Sequence, residues 1–171
     1  MQMVKKGALI FMAVWFGVLL FMPKAELYYT LEKTLAKQDI KLNEKSIDEG
    51  LFSLTLKDVT VYMKGIALAH IEELDFFTIL FYSSLDVYNL EVDEALHTKM
   101  PALTKEASFS HGISAPLIVS IDANGTFGMV EGEMNIMDKK VHIDFVKVEN
   151  IGMIQPYLKK GKKGWFYEKS F

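Results

Sequence analysis

The chain contains no cysteine and no arginine. The first absence removes disulfides and thiolate chemistry, so stability has to come from a packed core. The second leaves nineteen basic residues that are all lysine, without the planar side chain that grips phosphates and bases bidentately. Net charge is −3 and no basic stripe runs through the middle, so nucleic acid is not a predicted partner. Disorder is excluded as well, since half of the residues are apolar and 12% are aromatic.

Only one long apolar run occurs, GALIFMAVWFGVLLFM from Gly7 to Met22, behind Lys5 and Lys6 and ahead of Pro23 and Lys24. Sixteen helical residues rise about 24 Å, short of a hydrocarbon core of about 30 Å. Met3 and Val4, with the lysines snorkelling toward headgroups, bring the run near the usual minimum. A cleaved signal peptide needs small residues before the cut, where this chain has Phe21, Met22, Pro23 and Lys24. A soluble core helix is seldom apolar all round directly after two lysines. The expectation is an uncleaved signal-anchor transmembrane helix over residues 1–24, with Leu9, Ile10, Phe11, Trp15, Phe16, Leu19 and Leu20 against lipid. That places the remaining chain, about 147 residues and enough for one domain, beyond the cytoplasm.

Residues 25–39 predict a juxtamembrane amphipathic helix, with Pro23 just ahead and Leu27, Leu31, Thr34 and Leu35 at helical spacing. It reads as a cover for one end of a sheet, or as a stalk whose Tyr28 and Tyr29 sit among headgroups. Residues 40–150 predict a β-rich domain, although Ile40 to Gly50 looks polar and turn-like. From Phe52 the apolar period becomes two: Phe52, Leu54 and Leu56, then Val59, Val61 and Met63. The frame slips at Lys57-Asp58, the mark of a bulge or tight turn. Strands follow from Ile66 to Phe76 and from Leu85 to Val92, the second slipping again at Tyr88-Asn89. Thr78 to Ser84 is apolar but too short to assign.

Glu94 to Thr104 reads as a connection and Glu106 to Ser110 as a short strand. Asn124-Gly125 is the pair preferred in two-residue hairpin turns, because both positions accept positive φ. It predicts a hairpin between a strand from Pro116 and one from Thr126 to Met137, and Val141 to Val148 completes a meander. The fold class is therefore mainly β, an N-terminal helical anchor followed by a twisted antiparallel sheet. Residues 151–171 form a lysine- and aromatic-rich tail. In it Trp165, Phe166, Tyr167 and Phe171 read as partner-binding residues, with the lysines facing a partner or an anionic membrane. The competing reading is a last edge strand of the same sheet.

Few residues suggest chemistry. His70, His97, His111 and His142 are far apart, and His70 and Glu73, three apart in a strand, predict opposite faces. His142 is expected beside Asp144, turned away from Val141 and Ile143. Ser108-Phe109-Ser110-His111-Gly112 lacks the spacing of a nucleophile elbow, and the glycines 125, 128 and 132 belong to a hairpin, not to a phosphate loop. No catalytic, cofactor-binding or metal-ligating residue is predicted, and no cofactor.

The N-terminal run, Pro23-Lys24-Ala25-Glu26-Leu27-Tyr28, the stretch Phe52 to Val61 and the glycine-spaced Gly125 to Glu133 together resemble the type II secretion system N protein. More loosely they are similar to AsmA-type envelope proteins. The resemblance covers about two thirds of the chain and rests on strand and turn patterns. It implies a bitopic protein of the bacterial inner membrane with its C-terminal β domain in the periplasm. Two functions follow from it. One is a non-catalytic subunit of an envelope-spanning complex, of the secretion or flagellar-motor type, acting through contacts with other protein subunits. The other is a periplasmic lipid-handling module of the AsmA or lipopolysaccharide-export type.

Overall fold

The computed structural model describes residues 2–20, 24–79, 81–162 and 164–171. Two helices, α1 (Gln2–Leu20) and α2 (Lys24–Ala36), come first. The strands are β1 (Ile40–Asn43), β2 (Ser46–Glu49), β3 (Ser53–Met63), β4 (Ile66–Ile79), β5 (Tyr82–Val92) and β6 (Leu103–Gly112). They continue as β7 (Ile118–Gly125), β8 (Gly128–Asn135), β9 (Lys140–Val148), β10 (Lys159–Gly161) and β11 (Gly164–Ser170). All eleven make one antiparallel sheet, ordered β1-β3-β4-β5-β6-β7-β8-β9-β11-β10, with β2 also on β3. The chain is mainly β.

Among the described residues, no helix is long and apolar enough to cross a membrane. The expectations resting on Phe21, Met22 and Pro23, and on Leu80 in the stretch from Thr78 to Ser84, lie outside the described residues. That stretch otherwise forms the β4–β5 hairpin tip, with Phe81 at the turn.

Three local expectations need correction. Ile40 to Gly50 is not a turn: β1 and β2 both pair with β3 in a single register, interrupted at Glu44-Lys45. Strands this short have little signal of their own, and the exposed edge of β3 supplies the backbone partners that order them. Asn124-Gly125 is not the hairpin turn either. Ala123 faces Val130 and Gly125 faces Gly128, so Thr126 and Phe127 make the loop. Burial of Phe127 and the bonds from Thr126 N and Oγ1 to the Leu103 carbonyl at 2.9 and 3.2 Å draw the turn two residues onward. Finally, Ile71 and Leu74 both join the apolar core although they are three apart, so the frame slips between them. His70 and Glu73 therefore share the polar face.

That slip is one point on a line crossing the sheet. Asp58 (φ 52°) and Asn89 (φ 48°) are left-handed, at the registers on either side of Glu72 in β4. Asn89 Nδ2 donates to Glu72 Oε2 at 2.6 Å. The register also shifts between Thr104 and Glu106 of β6, and between Met129 and Val130 on the β8–β9 side. Strands β3 to β6, and β9 beyond them, thus shift frame while keeping their apolar residues on one face, whereas β7 and β8 pair without a shift. Such aligned bulges strengthen sheet twist.

Cross-strand neighbours on that face are apolar over seven strands: Leu54, Phe76, Leu85, Phe109, Ile121, then Gly132 and Ile143. The face is covered at two places. At one, Tyr28 of α2 packs with Leu54, Leu56, Val59, Ile71 and Val87. At the other, Ile151, Ile154 and Leu158, from two 3-10 turns after β9, pack over Phe127, Val130 and Phe145. Residues 25–39 therefore act as a cover for the sheet, with the Tyr28 hydroxyl bonded to Glu44 at 2.7 Å.

Candidate functional site

The opposite face of the sheet is polar and strongly acidic. One cross-strand row reads Thr55, Asp75, Asp86, Ser108, Asp122, Glu131 and Asp144. Directly facing carboxylates repel, and hydroxyls offset part of this. Thr55 Oγ1 donates to Asp75, and Ser84 Oγ donates to Asp86 at 3.1 Å. Burial, then the carboxylates of Asp86, Glu106, Asp75 and Glu73, raise the pKa of the Tyr88 hydroxyl above its ordinary value. No group of three or more His, Asp or Glu able to hold a metal ion occurs among the described residues. His142 does lie beside Asp144, at 3.3 Å, and also within 3.5 Å of Glu168.

The aromatic tail is β11, paired to β9 from Phe166 opposite Asp144 to Ser170 opposite Lys140. Alternation sends its aromatics both ways. Trp165 packs into the second apolar cluster, with Lys160 Nζ 5.5 Å from the ring centroid. Phe166 lies 5.3 Å from the His142 ring, while Phe171 is exposed beyond the strand. Thus Trp165 is engaged by its own domain, and the exposed aromatic end is Phe171. Because β10 covers β11 only from Gly164 to Phe166, the outer backbone edge from Tyr167 to Ser170 has no strand beside it among the described residues.

Glu168 ties these strands together. Its carboxylate accepts from Lys140 Nζ at 2.8 Å and from Lys159 Nζ at 3.3 Å, and these bonds hold its pKa at about 2. A carboxylate depressed in the folded state contributes stability that is complete above its ordinary value of 4.5 and is lost as pH falls toward 2. The Glu168→Gln protein is therefore expected to show a lower urea midpoint than the parent at pH 7. The gap should close progressively between pH 4.5 and the folded value. An unchanged gap at pH 3 would contradict this.

Comparison with known proteins finds no matching family model, curated protein or solved structure. Functional argument therefore rests on this chain's own surfaces.

The predicted anchor residues lie in α1. The side chains of Leu9, Ile10 and Phe11 face outward, and Leu19 and Leu20 fall in the last turn. Trp15 and Phe16 instead reach the domain. The Trp15 ring stacks 6.4 Å from Phe81, and Phe16 meets Phe52 edge-on at 6.3 Å. A cavity of about 300 Å³ lies between Phe11, Met12, Trp15, Phe16 and Phe81.

One grouping escaped the sequence reading, although Phe171 within it was itself expected to bind a partner. The β2–β3, β4–β5, β6–β7 and β8–β9 turns, together with the end of β11, all lie at one end of the sheet. There Leu51, Phe81, Ile113, Met137 and Phe171 are exposed. The available signal was an apolar residue in each turn, where polar turn formers are usual.

Proposed function

We propose that the chain is a non-catalytic subunit of a bacterial envelope complex, held in the inner membrane by its N-terminal segment and working in the periplasm through protein contacts. The observation that carries this reading is the cover at two places of the apolar face. A carrier of acyl chains needs that face open along its length, whereas Tyr28 of α2 packs with Leu54 and Leu56 and the 3-10 segment packs on Phe127. What the domain offers instead is a long sheet whose backbone edge at Tyr167 to Ser170 has no strand beside it among the described residues, suited to strand addition by a partner. The anchor comprises residues 1–24. The resemblance to the type II secretion system N protein supports the same setting.

A lipid-handling module is the second reading, favoured by the apolar cavity between α1 and Phe81. Photo-crosslinking in intact cells from positions Tyr167 and Phe171 separates the two. One recurrent protein adduct supports the envelope subunit. Recovered lipid from both positions supports the carrier, and no adduct from either position would sink strand addition at this edge.

A further inference from the structure

α2 begins and α1 ends at the apolar end of the sheet. Lys24 N donates to Glu49 Oε1 at 3.0 Å, next to the β2–β3 turn, and α2 runs away from there until Lys64 N bonds the Asp39 carbonyl at 2.8 Å at the far end. The apolar turns around this exit are joined backbone to backbone. Thr78 N bonds the Phe52 carbonyl, Ile113 N that of Phe81, Ile136 N that of Leu117 and Phe171 N that of Lys139, all at 2.8–3.0 Å. They form a continuous rim in which Phe81 is 55% exposed, Ile113 62% and Met137 71%.

Charge separates the two ends. The turns at residues 50–52, 81–82 and 113–117 contain no charged side chain, and the β8–β9 turn adds Asp138 and Lys139. Connections at the other end carry Lys64, Asp93, Glu94, Lys99 and Glu149.

We propose that this rim is a membrane-seating surface, in which Phe81, Ile113, Met137 and their neighbours enter the boundary between headgroups and acyl chains while the sheet stands away from the bilayer. The inference rests on the anchor reading of residues 1–24. Depth is the argument for lipid as the occupant. Trp15 and Phe16 precede Leu20 by five and four residues, so their contacts with Phe81 and Phe52 lie about 6–8 Å inside the end of α1. Apolar groups on membrane-surface elements enter by about 5–10 Å. With α1 in the bilayer, the rim reaches the acyl boundary with no rearrangement. Lys139 and Lys140, both exposed, then lie at headgroup height.

The absence of cysteine allows single labels on the full chain. Leu9→Cys, Ile113→Cys, Met137→Cys, Glu94→Cys and Lys99→Cys are each coupled to an environment-sensitive fluorophore. They are then reconstituted in phosphatidylethanolamine–phosphatidylglycerol vesicles with brominated acyl chains. The expected result is strong quenching at Leu9 by deep bromines, at least twofold quenching at Ile113 and Met137 by shallow bromines, and buffer-like emission at Glu94 and Lys99. Quenching at Leu9 without quenching at Ile113 and Met137 overturns the seating surface and leaves the anchor standing. Blue-shifted but unquenched labels at Ile113 and Met137 overturn it in favour of a protein partner. No quenching at Leu9 overturns the anchor reading itself, and quenching at all five positions overturns the upright sheet.

Discussion

Gly128→Ala is expected to destabilise the domain by about 3–5 kcal/mol, among the largest effects of any single methyl group here. Gly128 has φ +101°, a conformation that L side chains rarely adopt, and an added Cβ would run into the Lys147 carbonyl. Relief requires β8 to part from β9 or the turn to change φ. Either movement disturbs Phe127, which the Thr126-Phe127 loop holds in the second apolar cluster. Urea denaturation of the full chain in a mild detergent measures the loss. Gly152→Ala is the control, since nothing lies within 4 Å of its added Cβ, and should stay within about 0.5 kcal/mol of the parent. Equal midpoints for Gly128→Ala and Gly152→Ala would show that the hairpin tolerates what its geometry forbids.

Leu56→Ala tests the other cluster, with an expected cost of about 2–5 kcal/mol. Leu56 is 2% exposed and packs among Tyr28, Leu54, Val59, Ile71 and Val87, so truncation leaves a cavity directly beneath α2. The helix should loosen with it, and limited proteolysis should cut within Lys24–Ala36 before it cuts the strands. Ile66→Ala, at a position 67% exposed beside the β3–β4 turn, should change the midpoint little. Equal effects at the two positions would mean that α2 does not pack on this part of the apolar face, and the lipid-carrier reading would regain that surface.

Much of the sheet was legible because a half-buried strand has to alternate. Leu54 and Leu56, then Val59 and Val61, announce both β3 and its slip, and Val87 followed by Leu90 announces the one in β5. The slips were legible only one strand at a time. That Asp58, Glu72 and Asn89 lie side by side is a matter of register, which no single strand encodes. Asn124-Gly125 misled for a related reason. Its turn preference amounts to local energies that burial of Phe127 and the bonds from Thr126 to Leu103 override. The candidate surfaces divide in the same way. The apolar helix and the aromatic tail were visible as composition, whereas the rim was not. Leu51, Phe81, Ile113, Met137 and Phe171 are separated by 24 to 34 residues and meet only because successive hairpins turn at the same end.

By itself the sequence determined the class of this protein: an apolar N-terminal helix, a second helix, and a run of alternating strands with one face apolar. Those properties follow from short-range periodicity, since each side chain's direction is set by its immediate backbone. Only the tertiary structure decided which side chains of α2 and the 3-10 segment pack on the apolar face, that Trp165 packs against its second cluster, and that the apolar turns gather beside α1. These depend on contacts between residues distant along the chain, whose energies exist only once the strands have paired.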